Sequence, residues 1–245
     1  KIKDSIKELG KLKVITFSVI FVLILGALFS GQNNIPPIDR DEARFAQASR
    51  QMAQSNDYIN IKFQDEIRAK KPVGIYWLQA VSGNIFGLLD IGSFRIPSLI
   101  SSIISIVFTG LIARLIFPLH QSLIVALFFA SSMAFMGEAH LAKTDAVLLA
   151  TTTAVMGALG VIYTQKDKLK NGWVMALFMW FVLGLGVLIK GPVVPVLMLL
   201  CLLTLAFDIL AYYKIKITII FYSAISVSNF YDLSSKLVVE FQQRL

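Results

Sequence analysis

Apolar residues are gathered into long runs broken by short charged stretches, at about 14–30, 73–89, 94–117, 121–137, 146–163, 173–189, 192–211 and 217–230. Most are about as long as a helix needs to cross a hydrocarbon core of ~30 Å at a rise of 1.5 Å per residue. The run at 73–89 differs. It contains Gln79, Ser82, Gly83, Asn84 and Gly87, and only residues 90–93 separate it from the next.

Short-loop charge assigns that run. If 73–89 lies on the outer surface, the inner loops hold Arg114, Lys166, Lys168, Lys170, Lys214 and Lys216, against Lys143 and Lys190 outside. Cytoplasmic loops carry the excess of Lys and Arg, so this arrangement satisfies the orientation rule, and the Lys-rich residues 1–13 agree with it. Seven spanning helices and one interfacial helix follow, with Tyr76 and Trp77 expected at the headgroup level. The expected fold is an all-α, polytopic transmembrane helical bundle whose first periplasmic loop contains an interfacial helix. Its parts are a cytoplasmic basic N-terminus (1–13), a transmembrane region (14–230, with the loop at 31–93) and a polar tail (231–245). The first run has no small-residue cleavage site behind it and reads as a retained anchor.

Composition narrows the function. The 245 residues are 56% hydrophobic, with a mean hydropathy of +0.72, which is more than one globular core can bury. The net charge of +8 sits in loops where orientation in the bilayer accounts for it, so nucleic acid is not the expected partner; membrane lipids are. Two histidines, His120 and His140, and one cysteine, Cys201, offer no metal site of normal ligand count, and no cofactor is expected.

Four charged features interrupt the apolar pattern. The first loop carries both signs and, after Pro36 and Pro37, a short helix at 41–54 with Phe45, Ala48 and Met52 on one face. Its acidic start, Asp39-Arg40-Asp41-Glu42, suits a helix N-terminus, where carboxylates are favoured, and equally suits chemistry. Lys70-Lys71-Pro72 stands where the chain meets the interface, against lipid phosphates or a specific anion. Lys143-Thr144-Asp145 and Lys190-Gly191-Pro192 border apolar runs, where an ionisable residue is a functional candidate. The topology puts all four on the outer face.

In that order, Asp41-Glu42-Ala43-Arg44-Phe45-Ala46, Lys71-Pro72-Val73-Gly74-Ile75-Tyr76-Trp77, Lys143-Thr144-Asp145 and Lys190-Gly191-Pro192 resemble the GT-C membrane glycosyltransferases. The nearest branch holds the aminoarabinose transferase of lipid A and the protein O-mannosyltransferases. The resemblance covers roughly residues 10–210. It implies a polyprenyl-phosphate-linked sugar donor, a lipid A, glycan or protein acceptor, an active site on the periplasmic face of the inner membrane, and inversion at the anomeric carbon. Asp41 and Asp145 are then the catalytic carboxylates, and Glu42, Arg44, Lys71 and Lys190 the substrate-binding residues. Two departures stand out. Family members run longer, and Lys70 replaces the more usual glutamate beside Lys71. Two other readings stay open on sequence: a multi-span transporter, and a non-catalytic fragment of a split gene with a second chain supplying missing helices.

Overall fold

The computed structural model describes residues 2–68, 70–165 and 172–210, with side chains described from 16 to 205 within those segments. Residues 1–195 form one compact unit. It holds α1 (Ile2–Phe29), α2 (Arg40–Ser55), a two-stranded ribbon β1 (Lys62–Phe63) and β2 (Glu66–Ile67), α3 (Gly74–Phe86), α4 (Ile91–Ala113), α5 (Leu119–Ala130), α6 (Met133–Ala139), α7 (Asp145–Gln165), α8 (Gly172–Lys190) and the start of α9 (Val193–Leu210). Residues 196–245 form a second unit, described as the remainder of α9.

Among the described residues, α4, α7 and α8 are long and apolar enough to cross a membrane. The expected span at 121–137 is instead a broken one: α5 and α6 meet at 67° across Ser131 and Ser132. At the break Ser131 turns its Oγ back to the Phe128 carbonyl, and the Ser132 backbone N–H bonds Phe129 O. The apolar parts of α1 (Thr16–Phe29) and α9 (Val193–Leu205) are shorter, and the expected span at 217–230 lies outside the described residues. The protein is helical and membrane-embedded, with α4 packed along α7, α7 against α8, and α1 beside α5. Leu28, Leu99, Ile106, Ala126, Ala130, Phe135 and Ala139 form a core joining α1, α4, α5 and α6.

The first loop is a layer of its own at one end of these helices. Its helix α2 buries Phe45, Ala48 and Met52, the face expected from their spacing. α3 lies between α2 and α4, exposing Trp77, Val81 and Ile85 at a helical spacing of four. Tyr76 corrects the expectation that it sits at the headgroups: it is fully buried, its ring 5.4 Å from Phe45. Successive helical residues point about 100° apart, so Tyr76 and Trp77 cannot share one face.

Two residues without ordinary side-chain freedom fix α3. Pro97 inside α4 has no N–H to give to Ser93, and the Ser82 hydroxyl of α3 takes that carbonyl instead. At the other end of α3, a Cβ on Gly74 would stand 2.7 Å from the Leu188 carbonyl oxygen, so only glycine lets α3 approach α8 this closely. α8 ends at Lys190 because Gly191 takes φ +70° and Pro192 follows.

Candidate active site

The four charged features come together at one end of the helices. α2 begins at Arg40, and its cap is Asp39, whose carboxylate accepts the Asp41 N–H at 2.9 Å. The same Asp39 carboxylate accepts from Lys143 Nζ at 2.9 Å, tying the loop helix to the α6–α7 turn. That pair holds the Asp39 carboxyl below its usual range, chiefly through the Lys143 hydrogen bond. Lys143 lies above its usual value because its carboxylate neighbours outweigh burial. With Asp39 as the cap, Asp41 is free of that duty. Its side chain is 55% exposed, 3.5 Å from Arg44 one turn on.

Glu42 goes the other way. It is fully buried, as is Arg95 of α4, and the two pair at 2.7 Å. Glu42 Oε1 also accepts the Ala142 N–H at 3.0 Å, while Arg95 donates to the carbonyls of Gln32 and Ile35 at 2.7 and 2.8 Å. One side chain thus joins α2 to the α6–α7 turn, and its partner joins the end of the α1–α2 link to α4. Glu42 Oε2 is buried with no hydrogen-bond partner. The contacts that the structure gives Glu42, which was expected to bind substrate, are thus structural ones.

Asp145 opens α7 and Lys190 closes α8, charges that suit those helix ends, and they pair at 2.7 Å. Lys71 lies just before α3, half-buried. Its ammonium is pushed below the usual lysine value, first by burial and then by Lys190, while Asp145 and Asp41 pull the other way. Arg68 also acts on Lys71 as a like charge. No carboxylate lies within ion-pair reach of Lys71 among the described residues. Lys70 is exposed.

Arg95 and Arg68 were not singled out as site residues in the sequence. For Arg95 a signal existed: a lone charge near the start of an apolar run requires a buried partner. Arg68 gave none, because its setting depends on the ribbon. Among the described residues no cluster of three or more His, Cys, Asp or Glu side chains could hold a metal.

The family described as dolichyl-phosphate-mannose-protein mannosyltransferase matches residues 70–230, about two-thirds of the chain. The undecaprenyl phosphate-alpha-4-amino-4-deoxy-L-arabinose arabinosyl transferase 2 of Pseudomonas fluorescens (strain Pf0-1) is 30% identical over 156 residues, covering 62% of this chain and 27% of that protein. The corresponding transferase 1 of Sodalis glossinidius (strain morsitans) is 28% identical over 187 residues, 73% of this chain and 31% of that one. The chain therefore spans less than a third of either relative. Among solved structures, ArnT from Cupriavidus metallidurans bound to undecaprenyl phosphate superposes with a TM-score of 0.73 at 20% identity, over 89% of this chain and 41% of that one. Its apo state gives 0.72 at 18% identity, over 93% and 42%. These structures share the fold, and the extent of the family match decides the rest: the chain belongs to the dolichyl-phosphate-mannose-protein mannosyltransferase family.

Proposed function

We propose that this chain forms the donor-binding part of a membrane glycosyltransferase, which moves a sugar from a polyprenyl-phosphate carrier to a lipid A, cell-envelope glycan or protein acceptor on the periplasmic face of the inner membrane. The observation that carries the reading is Lys71, a half-buried ammonium that feels Lys190 and Arg68 as like charges and has no ion-pair partner among the described residues. Cations held together out of bulk water call for an anion, and a phosphate is the anion that the relatives' names supply.

The chemistry follows from the placement. The bond between the anomeric carbon and the carrier phosphate breaks, and its electron pair leaves with the phosphate. Lys71 and Lys190 meet the charge that develops there, which stabilises the transition state more than the bound donor. The acceptor oxygen attacks the opposite face of the anomeric carbon, inverting it. Asp41, exposed beside Arg44, takes the proton of an acceptor hydroxyl, or orients the acceptor where that is itself a phosphate. Asp145 acts through Lys190, holding its ammonium toward Lys71. The first loop, with α3 lying in the interface, forms the outer lid of this site. A transporter reading is weaker because these ionisable residues gather at one end of the helices rather than at mid-depth.

The test separates binding from transfer in reconstituted membranes, using the chain alone and with the remaining helices of a longer relative supplied as a second chain. Asp41→Asn is expected to lower transfer by about 10²- to 10⁴-fold with donor binding intact. Lys71→Ala is expected to weaken both, because a phosphate contact acts in the ground state and strengthens in the transition state. Full transfer by Asp41→Asn would remove Asp41 from the chemistry. Absence of transfer by the unmutated chain in every combination would leave a non-catalytic fragment.

A further inference from the structure

Arg68 is held more firmly than an arginine in a loop needs to be. Its backbone N–H bonds the Ile61 carbonyl at 2.7 Å, extending the pairing of β1 with β2 by one step. That ribbon turns at Gln64, which takes φ +58° and is clasped by the Gln51 amide of α2 through two hydrogen bonds. The guanidinium then lies 5.8 Å from the ring centres of both Phe45 and Phe63, and its Nε donates to the Tyr76 hydroxyl at 3.2 Å. Three elements, α2, the ribbon and α3, thus fix one guanidinium plane.

What the guanidinium does not have is an anion. Among the described residues no carboxylate is within ion-pair reach of Arg68, and of its five N–H donors only the one on Nε is committed. It also faces Lys71 as a like charge. A planar two-pronged donor, immobilised by aromatic rings and placed beside a second uncompensated cation, is built to take two oxygens of one anion.

The geometry points to Arg68 as a second phosphate ligand beside Lys71, gripping two oxygens of the lipid-borne phosphate while Lys71 supplies a point charge. This rests on the donor-site reading given above. The division of labour is chemical: a phosphodiester donor offers two non-bridging oxygens to the fork, and the departing phosphate gains its extra charge against the ammonium.

The experiment measures equilibrium binding of undecaprenyl phosphate, and separately of the uncharged undecaprenol, to the full chain in nanodiscs of phosphatidylcholine. Arg68→Gln is expected to weaken undecaprenyl phosphate binding by about 10- to 100-fold and to leave undecaprenol binding unchanged. Arg68→Lys should recover only part of the loss, since it restores charge without the planar fork. Unchanged phosphate binding in Arg68→Gln overturns the inference, as does an equal loss for phosphate and alcohol, which marks a merely structural role. Lys71→Gln separates the two levels. If it weakens phosphate binding while Arg68→Gln does not, Arg68 alone is excluded. If neither variant changes it, or if the unmutated chain does not distinguish phosphate from alcohol, the donor-site reading falls as well.

Discussion

The buried pair of Glu42 and Arg95 makes the sharpest prediction about what holds the loop layer in place. At 2.7 Å and an effective dielectric of about 20, the two charges attract by about 6 kcal/mol, most of which is offset by taking both out of water. Removing one partner leaves the other charged and buried, which costs about 3–5 kcal/mol. The two single variants should differ. Glu42→Gln leaves Arg95 with the Gln32 and Ile35 carbonyls and belongs at the lower end. Arg95→Met leaves Glu42 with only the Ala142 N–H and an oxygen that is already orphaned, and belongs at the upper end. The double variant should be more stable than the sum of the singles, by about 2–3 kcal/mol, because no unpaired charge remains. Thermal unfolding in a mild detergent reads this as a fall on the order of 10 °C for Arg95→Met, less for Glu42→Gln, and partial recovery in the double. Additive losses, or singles within about 0.5 kcal/mol of the unmutated protein, would refute the reasoning.

Three further outcomes are expected. Because the Lys71 ammonium is pushed below its usual value, phosphate binding should decline on the alkaline side at a pH below 10.5, and Lys71→Arg should move that decline upward; a titration of binding against pH checks it. Gly74→Ala should destabilise by about 1–3 kcal/mol in thermal unfolding, since its Cβ would press on the Leu188 carbonyl, and Gly74→Val should cost more. A membrane-impermeant thiol reagent applied to intact cells should label a cysteine placed at Asn56 and not one placed at Lys168; the opposite pattern would put the first loop in the cytoplasm.

The sequence pattern carried the helices and the order of the site motifs, because apolar length and spacing are local properties. The helix at 41–54 was found within one residue at each end, with its buried face right. What failed was adjacency. Asp41 and Glu42 read as one acidic motif, yet neighbours on a helix diverge by about 100°, and here one is exposed while the other is wholly enclosed. The same error put Tyr76 with Trp77 at the headgroups. The ribbon at 62–67 and the setting of Arg68 were not legible, since they depend on Gln51 and Phe45 of α2, both distant in sequence. The break at Ser131–Ser132 was legible only in hindsight, as two hydroxyls inside an apolar run.

The ties that dock α2 also impose an order on synthesis. Glu42 waits for the Ala142 N–H 100 residues later, and Asp39 waits for Lys143, 104 residues later. At about 5–20 residues per second, those partners leave the ribosome about 5–20 s after the carboxylates do. During that interval the first loop has already been translocated under the expected topology, while the turn that will receive it is still being made. α2 can therefore settle on α3 and Arg95 first, and its ties to the α6–α7 turn close last; a nascent chain halted before residue 142 leaves the Glu42 and Asp39 carboxylates without those two partners.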